Sequence, residues 1–133
     1  MSFLLDVNVL VAWGWSDHAE HLRVAHWLKS VRRSRKGVLH TSAIPQLGFV
    51  RVSVQRSHGQ VPPTMAASVL EGMIQSLGVQ HEFLPDDQPA FKWPDWCQGA
   101  SRATDAHLLA LATSHGLKLA RLDEGIPGAF LLP

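Results

Sequence analysis

The chain has 133 residues, 46% of them apolar and 17% charged, and its twelve basic and eleven acidic side chains give a formal net charge of +1. That length and balance predict one globular domain with its own core, exclude a disordered chain, and leave nucleic-acid binding to the distribution of charge rather than its sum. A single cysteine, Cys97, excludes an internal disulfide and a multi-cysteine zinc site, and the absence of a leader pattern or an apolar run near ~20 residues leads us to expect a cytoplasmic protein with no membrane span.

In chain order, FLL before Asp6 reads as a short buried strand, and VNVLVAW after it as a first helical segment. From Asp17 to Ser34 the apolar positions Val24, Trp27, Leu28 and Val31 follow the helical stripe. Lys29, Arg32, Arg33, Arg35 and Lys36 crowd the end of that segment. They read first as a solvated helix end favoured by the helix dipole, and second as a contact for RNA phosphates. Gly37 breaks the helix and VLH is a second strand. Thr41 or Ser42 caps the next helix, with Pro45 in its first turn. After Pro62 and Pro63, Thr64 starts a helix carrying Val69, Leu70, Met73, Ile74 and Leu77, closed by Gly78. HEFL at 81–84 is a third strand, and 86–101 a loop or short helix. Thr104 caps a helix through His115 that Gly116 ends; LKLAR is a fourth strand and AFLL a fifth. Strands alternating with helices predict an α/β layer fold on a mainly parallel sheet of four or five strands.

Three aspartates stand at ends of apolar runs: Asp6, Asp105 and Asp123. In a parallel sheet, strand ends and the helix starts that follow them open on one rim, where ligands of such sheets bind. Carboxylates gathered there repel one another unless a cation compensates them. A hard divalent ion, Mg²⁺ or Mn²⁺, fits that need. Asp105, one residue past its expected cap, would feel the positive helix end. Asn8 is a candidate to hold water or add a neutral oxygen, and Gln46 is expected on the same rim. The matching chemistry is metal-assisted hydrolysis of a phosphodiester. Taken singly, each aspartate reads as well as a cap or a surface charge. His18, His21 and His26 lie close in sequence, but without a cysteine partner or an HExxH motif they do not make a zinc site. His107 is read as pointing away from the helix start, the five tryptophans as core and subunit surface, and Cys97 as a small half-buried residue rather than a nucleophile.

LLDVNVLVA at the start, QLGFVRV at 46–52, FLPDD at 83–87, TDAHLLALA at 104–112 and LDEGI at 122–126 together resemble the PIN-domain ribonucleases, and among them the VapC-type toxins. The resemblance spans nearly the whole chain and implies a three-layer α/β/α fold and a Mg²⁺- or Mn²⁺-dependent endoribonuclease. It further implies a substrate such as tRNA or ribosomal RNA, a homodimer, and inhibition by a small cognate VapB-like antitoxin. By the same resemblance, Asp6, Asp105 and Asp123 are the metal-binding acids, with Asn8 and Gln46 beside them in the catalytic set. Two positions depart from the family pattern. Gln46 stands where a glutamate is common, and Arg121 where a small hydroxyl residue often precedes the last aspartate by two. A guanidinium at 121 would contact phosphate or pair with Asp123. Two other functions compete. An aspartate-nucleophile phosphatase would need an acid at Asn8, two residues beyond Asp6. A catalytically silent module that binds RNA or a partner protein has only Gln46 in its favour.

Overall fold

The computed structural model describes residues 1–133. Its elements are β1 (Phe3–Leu5), α1 (Val7–Gly14), α2 (His21–Ser34), β2 (Leu39–Thr41), α3 (Ala43–Arg56) and α4 (Pro63–Leu77). A single 3₁₀ turn (Gly78–Gln80), β3 (His81–Phe83), α5 (Ala100–Ser114), β4 (Lys118–Arg121) and β5 (Phe130–Leu131) complete the chain. All four strand pairings are parallel, and the sheet order is β3-β2-β1-β4-β5. This is the expected α/β/α fold, with five strands.

β1 is the middle of the sheet and is buried on both sides. Phe3 and Leu5 face a core of seventeen residues shared with α1, α2, α3 and α4, whereas Leu4 faces a smaller core with Leu108, Leu111, Ala112 and Leu119. The two-residue period of the strand thus sends successive side chains into opposite layers. On the larger side Val24, Trp27, Leu28 and Val31 of α2 are all buried, as their spacing predicted. Trp27, Phe3 and Phe130 pack as an aromatic trio with ring centroids 4.9 to 6.0 Å apart. No helix is long and apolar enough to cross a membrane.

Several local readings need correction. α5 begins at Ala100 with Gly99 as its cap, so Thr104 lies inside the helix instead of opening it. α4 begins at Pro63 with Pro62 as its cap, one residue before Thr64, and Val69 is exposed although Leu70 and Leu77 are buried. Ser42 holds the cap position of α3, but its hydroxyl donates to Leu84 O at 2.6 Å and so ties the helix start to the end of β3. His107 is turned toward the segment after β3, its Nε2 2.6 Å from Asp86 Oδ2. With His115 and Asp87 at 2.9 Å, this contact fastens the segment after β3 to α5, and the His115 bond holds the Asp87 carboxyl below its ordinary range.

α1 and α3 cross closely because Gly48 presents no side chain. A Cβ there would stand 2.6 and 2.8 Å from the two methyls of Val7, whose branched side chain has little rotamer freedom in a helix. Gly48→Ala is therefore expected to overpack this crossing and lower stability by about 1–3 kcal/mol, read as an earlier urea midpoint at unchanged slope. A midpoint at or above that of the parent protein would show that the crossing has room to spare.

Candidate active site

The strand order reverses at β1, because the chain leaves β1 toward β2 on one side and later leaves β4 toward β5 on the other. The carboxyl edge of β1 and β4 is thus the topological switch of the sheet. Asp6 follows β1 directly, and its backbone N–H still donates to Ala120 O of β4 at 3.1 Å. Its Oδ1 accepts from Val7 N at 2.7 Å, so the carboxylate caps α1 and is aimed by that bond. Asp123 stands two residues past the end of β4, and Asp105 reaches the same place from the second turn of α5. These residues line one open cavity of about 440 Å³ together with Asn8 and Arg121.

The polar contacts divide the cavity into two parts. Asn8 Nδ2 donates to Asp123 Oδ2 at 2.8 Å, and its Oδ1 is buried with no hydrogen-bond partner. The amide must present its nitrogen to the carboxylate, so the orphaned atom is necessarily an acceptor. Arg121, the last residue of β4, is 5% exposed. Its Nη1 lies 2.8 Å from Asp105 Oδ1 and 3.4 Å from Asp6 Oδ2, while its Nε donates to the backbone oxygen of Asp123 at 3.2 Å. Nη1 has no well-aligned hydrogen bond, so the two carboxylate contacts are ion pairs rather than locked bonds. Arg121 therefore joins Asp6 to Asp105, and not to the Asp123 carboxylate beside it in sequence.

Burial pushes the Asp6 carboxyl up to about 6. The Arg121 charge and the Val7 N–H pull it back, and the neighbouring Asp105 and Asp123 push it further. Asp105 does not sit in the first turn of its helix, because α5 begins at Ala100. The helix-end field expected there falls off within one turn, and the counter-charge comes from Arg121 instead.

Gln46 is not brought to this cavity. Its Nε2 donates to Thr41 Oγ1 at 3.0 Å, and it lines a separate groove between α3 and α4 with Leu47, Leu70 and Phe83. The cause is the face of α3 on which it stands: Gln46 turns toward Thr41 and α4, whereas Arg51 and Arg56 further along the same helix face the cavity. Three residues not assigned to this site from the sequence also line the cavity: Arg51, Arg56 and His18, which was considered only within a histidine trio. Arg56 is engaged by Asp17 at 3.1 Å and lies over Trp15, whereas Arg51 is exposed and makes no ion pair. The signal for Arg51 was its place one turn beyond Gly48 on the helix packed against α1. The basic run at 29–36 is exposed at the end of α2, which leads into the start of β2. It therefore occupies the opposite edge of the sheet from the carboxylates.

No three carboxylate, histidine or thiolate groups converge as a closed metal cage. His18 Nδ1 accepts from Glu20 N, His21 Nδ1 contacts Ala12 O, and His26 is exposed, so this trio is no zinc site either. Mg²⁺ commonly takes one or two carboxylates and keeps several waters. The orphaned Asn8 Oδ1 beside two carboxylates with unengaged oxygens fits an open, hydrated site of that kind.

The PIN domain family model matches residues 3–129. The chain is 35% identical over 130 residues to Ribonuclease VapC39 of Mycobacterium tuberculosis, which covers 95% of this chain and 91% of that protein. Ribonuclease VapC38 of the same organism is 32% identical over 126 residues, covering 92% and 86%. Ribonuclease VapC29, also from that organism, is 34% identical over 128 residues, covering 95% and 89%.

With its carboxyl raised from 3.8 to about 6, Asp6 binds a proton more tightly folded than unfolded. The stability this proton confers is complete below about pH 4 and is lost as pH rises through about 6, a change on the order of 2–3 kcal/mol. Thermal melts in chelator should show stability falling across that window, and Asp6→Asn should flatten that part of the profile. A slope that survives the substitution unchanged would have another source. Gln46→Glu, remote from the cavity, is expected to leave the dependence of the melting temperature on Mn²⁺ unaltered; a tighter apparent affinity would put position 46 within reach of the ion.

Proposed function

The chain belongs to the PIN-domain family, among the VapC ribonucleases; from that premise we propose that it is an endoribonuclease. In this reading it is a toxin of a toxin–antitoxin pair that hydrolyses RNA phosphodiester bonds in the acidic cavity with Mg²⁺ or Mn²⁺. The observation that carries the reading is the meeting of Asp6 and Asn8 from one end of the chain with Asp105 and Asp123 from the other, at the switch point of the sheet. Three carboxylates gathered in a partly desolvated cavity cost stability, and that cost is understandable where they hold a cation needed for chemistry.

A bound divalent ion supplies Lewis-acid activation of water and positive charge to offset the phosphoryl group in the transition state. The chain's own residues do the rest. Asp105 and Asp123 hold the ion with oxygens left free by their contacts to Arg121 and Asn8. Asp6, fixed by the Val7 N–H and by burial, adds its charge from the floor. Asn8 orients Asp123 and offers Oδ1 as a neutral acceptor. Arg51, exposed on the cavity wall without an acidic partner, is placed to receive a backbone phosphate of the RNA. A structured RNA such as tRNA or ribosomal RNA is the substrate in this reading. A VapB-like antitoxin is the inhibitor, and the working form is a homodimer.

The test is cleavage of structured RNA by the purified protein with Mn²⁺ or Mg²⁺ and in EDTA. Cutting is expected only with metal, and Asp105→Asn, which keeps size but removes charge, should slow it by at least about 100-fold without unfolding the protein. Full cleavage by Asp105→Asn would dismiss the assigned site. RNA left intact by the parent protein under every metal condition would favour a silent module.

A further inference from the structure

We propose that Arg121 is the resident cation of the acidic cavity, a fixed positive charge that limits the site to a single divalent ion. The inference rests on the metal-dependent reading above and carries it to the number of ions and the residue that sets it.

Arg121 is placed like a ligand of the cluster rather than like a surface side chain. It ends β4, so its backbone is held in the sheet between β1 and β5. It is nearly as buried as the core residues around it, its Nε is anchored on the Asp123 backbone oxygen, and its Nη1 stands between Asp6 and Asp105. A guanidinium stays charged throughout the useful pH range and presents its donors in a rigid fork. Buried and tethered in this way, it leaves the cavity only by giving up its Nε hydrogen bond and both ion pairs.

The charges then add simply. Within the cluster that Arg121 touches or adjoins, three ionised carboxylates carry three negative charges and Arg121 returns one, so two remain to match one divalent ion; Arg51, exposed on the cavity wall, adds positive charge that disfavours a second. A second such ion would bring the cavity to a net positive charge in a partly buried space, where like charges repel strongly. The hydrogen bonds agree with this count. Asp6 Oδ1 is used by the Val7 N–H, while Asp6 Oδ2 and Asp105 Oδ1 face Arg121, and Asp123 Oδ2 accepts from Asn8. The acceptors left without a hydrogen bond or ion pair are Asp105 Oδ2, Asp123 Oδ1 and Asn8 Oδ1. Arg121 is thus a positioning residue: it holds Asp6 and Asp105 together before the ion arrives and takes the place a second ion would otherwise fill.

The experiment is a Mn²⁺ titration of the full chain, read by calorimetry and by the electron paramagnetic resonance of free Mn²⁺. The parent protein should bind one ion per chain. Arg121→Ser should bind a second, or bind the first about tenfold more tightly, and should melt lower than the parent in EDTA. Arg121→Lys, which keeps the charge, should retain one ion at near-parent affinity. If Arg121→Ser folds only when Mn²⁺ is present, the metal has replaced the missing cation and the inference stands. Two ions on the parent protein, or identical stoichiometry and affinity in the parent and Arg121→Ser, would overturn the role of Arg121 while leaving the metal-dependent reading intact. No Mn²⁺ binding by any of the three proteins would overturn both.

Discussion

The parallel pairing of β1 with β4 is the constraint from which the rest of the cavity follows. Its register sets Phe3 against Lys118 and Leu5 against Ala120, and the next backbone bond, from Asp6 N to Ala120 O, carries the pairing one residue past the strand. That single alignment puts Asp6 beside Arg121 and brings Asp123 over the first turn of α1, where Asn8 meets it. A slip of one residue would turn Arg121 to the other face of the sheet, because side chains alternate along a strand. Ala120, its neighbour, shows what lies there: a buried apolar layer with Phe3 and Leu5. The apolar faces of the sheet thus fix the register, and the register fixes the polar cluster.

The cluster itself is a balance between desolvation and charge. Asp6 is almost wholly enclosed, and burial raises its carboxyl more than Arg121 lowers it. An ion pair taken out of water recovers its desolvation cost only with well-directed hydrogen bonds, and Arg121 Nη1 does not form them. The arrangement holds together without being at rest. An acceptor without a donor at Asn8 and a donor without an aligned acceptor at Arg121 stand in the same cavity. Buried polar groups are seldom left so, and where they are, a ligand or an ion commonly completes them.

Much of this was legible in the sequence, and the misses have physical causes. Short apolar runs ending in aspartate gave β1 and the approach to Asp123, since a strand buried on both faces reads as a continuous apolar stretch. The stripe on α2 gave its buried face for the same reason of period. The start of α5 was misread because its first turn, Ala100 to Ala103, carries no apolar stripe and is held by polar contacts of Arg102, while Thr104 has the look of a cap. Gln46 was assigned to the cavity from its place after a strand, but that rule does not say which face of the following helix turns to the cavity. The partners of Arg121 were missed because the nearest acid in sequence is Asp123, whereas the acids nearest in space arrive from β1 and α5. Long-range register decides such pairs, and local spacing carries no trace of it.

The misplaced helix start also explains why Arg121 matters. Had α5 begun at Asp105, the unpaired N–H groups of its first turn would have offered that carboxylate both hydrogen bonds and partial positive charge. Five residues of helix instead precede it, and those groups are spent near Gly99 on the rim. Asp105 therefore reaches the cavity as an unsupported charge beside a second carboxylate. A side chain from the adjacent strand is the nearest means of compensation, and the residue that ends β4 is the only one whose side chain leaves the sheet between Asp6 and Asp105. A small residue there would leave the carboxylates wholly dependent on bound cations for their charge balance. With arginine, the chain carries part of that balance in its own sequence.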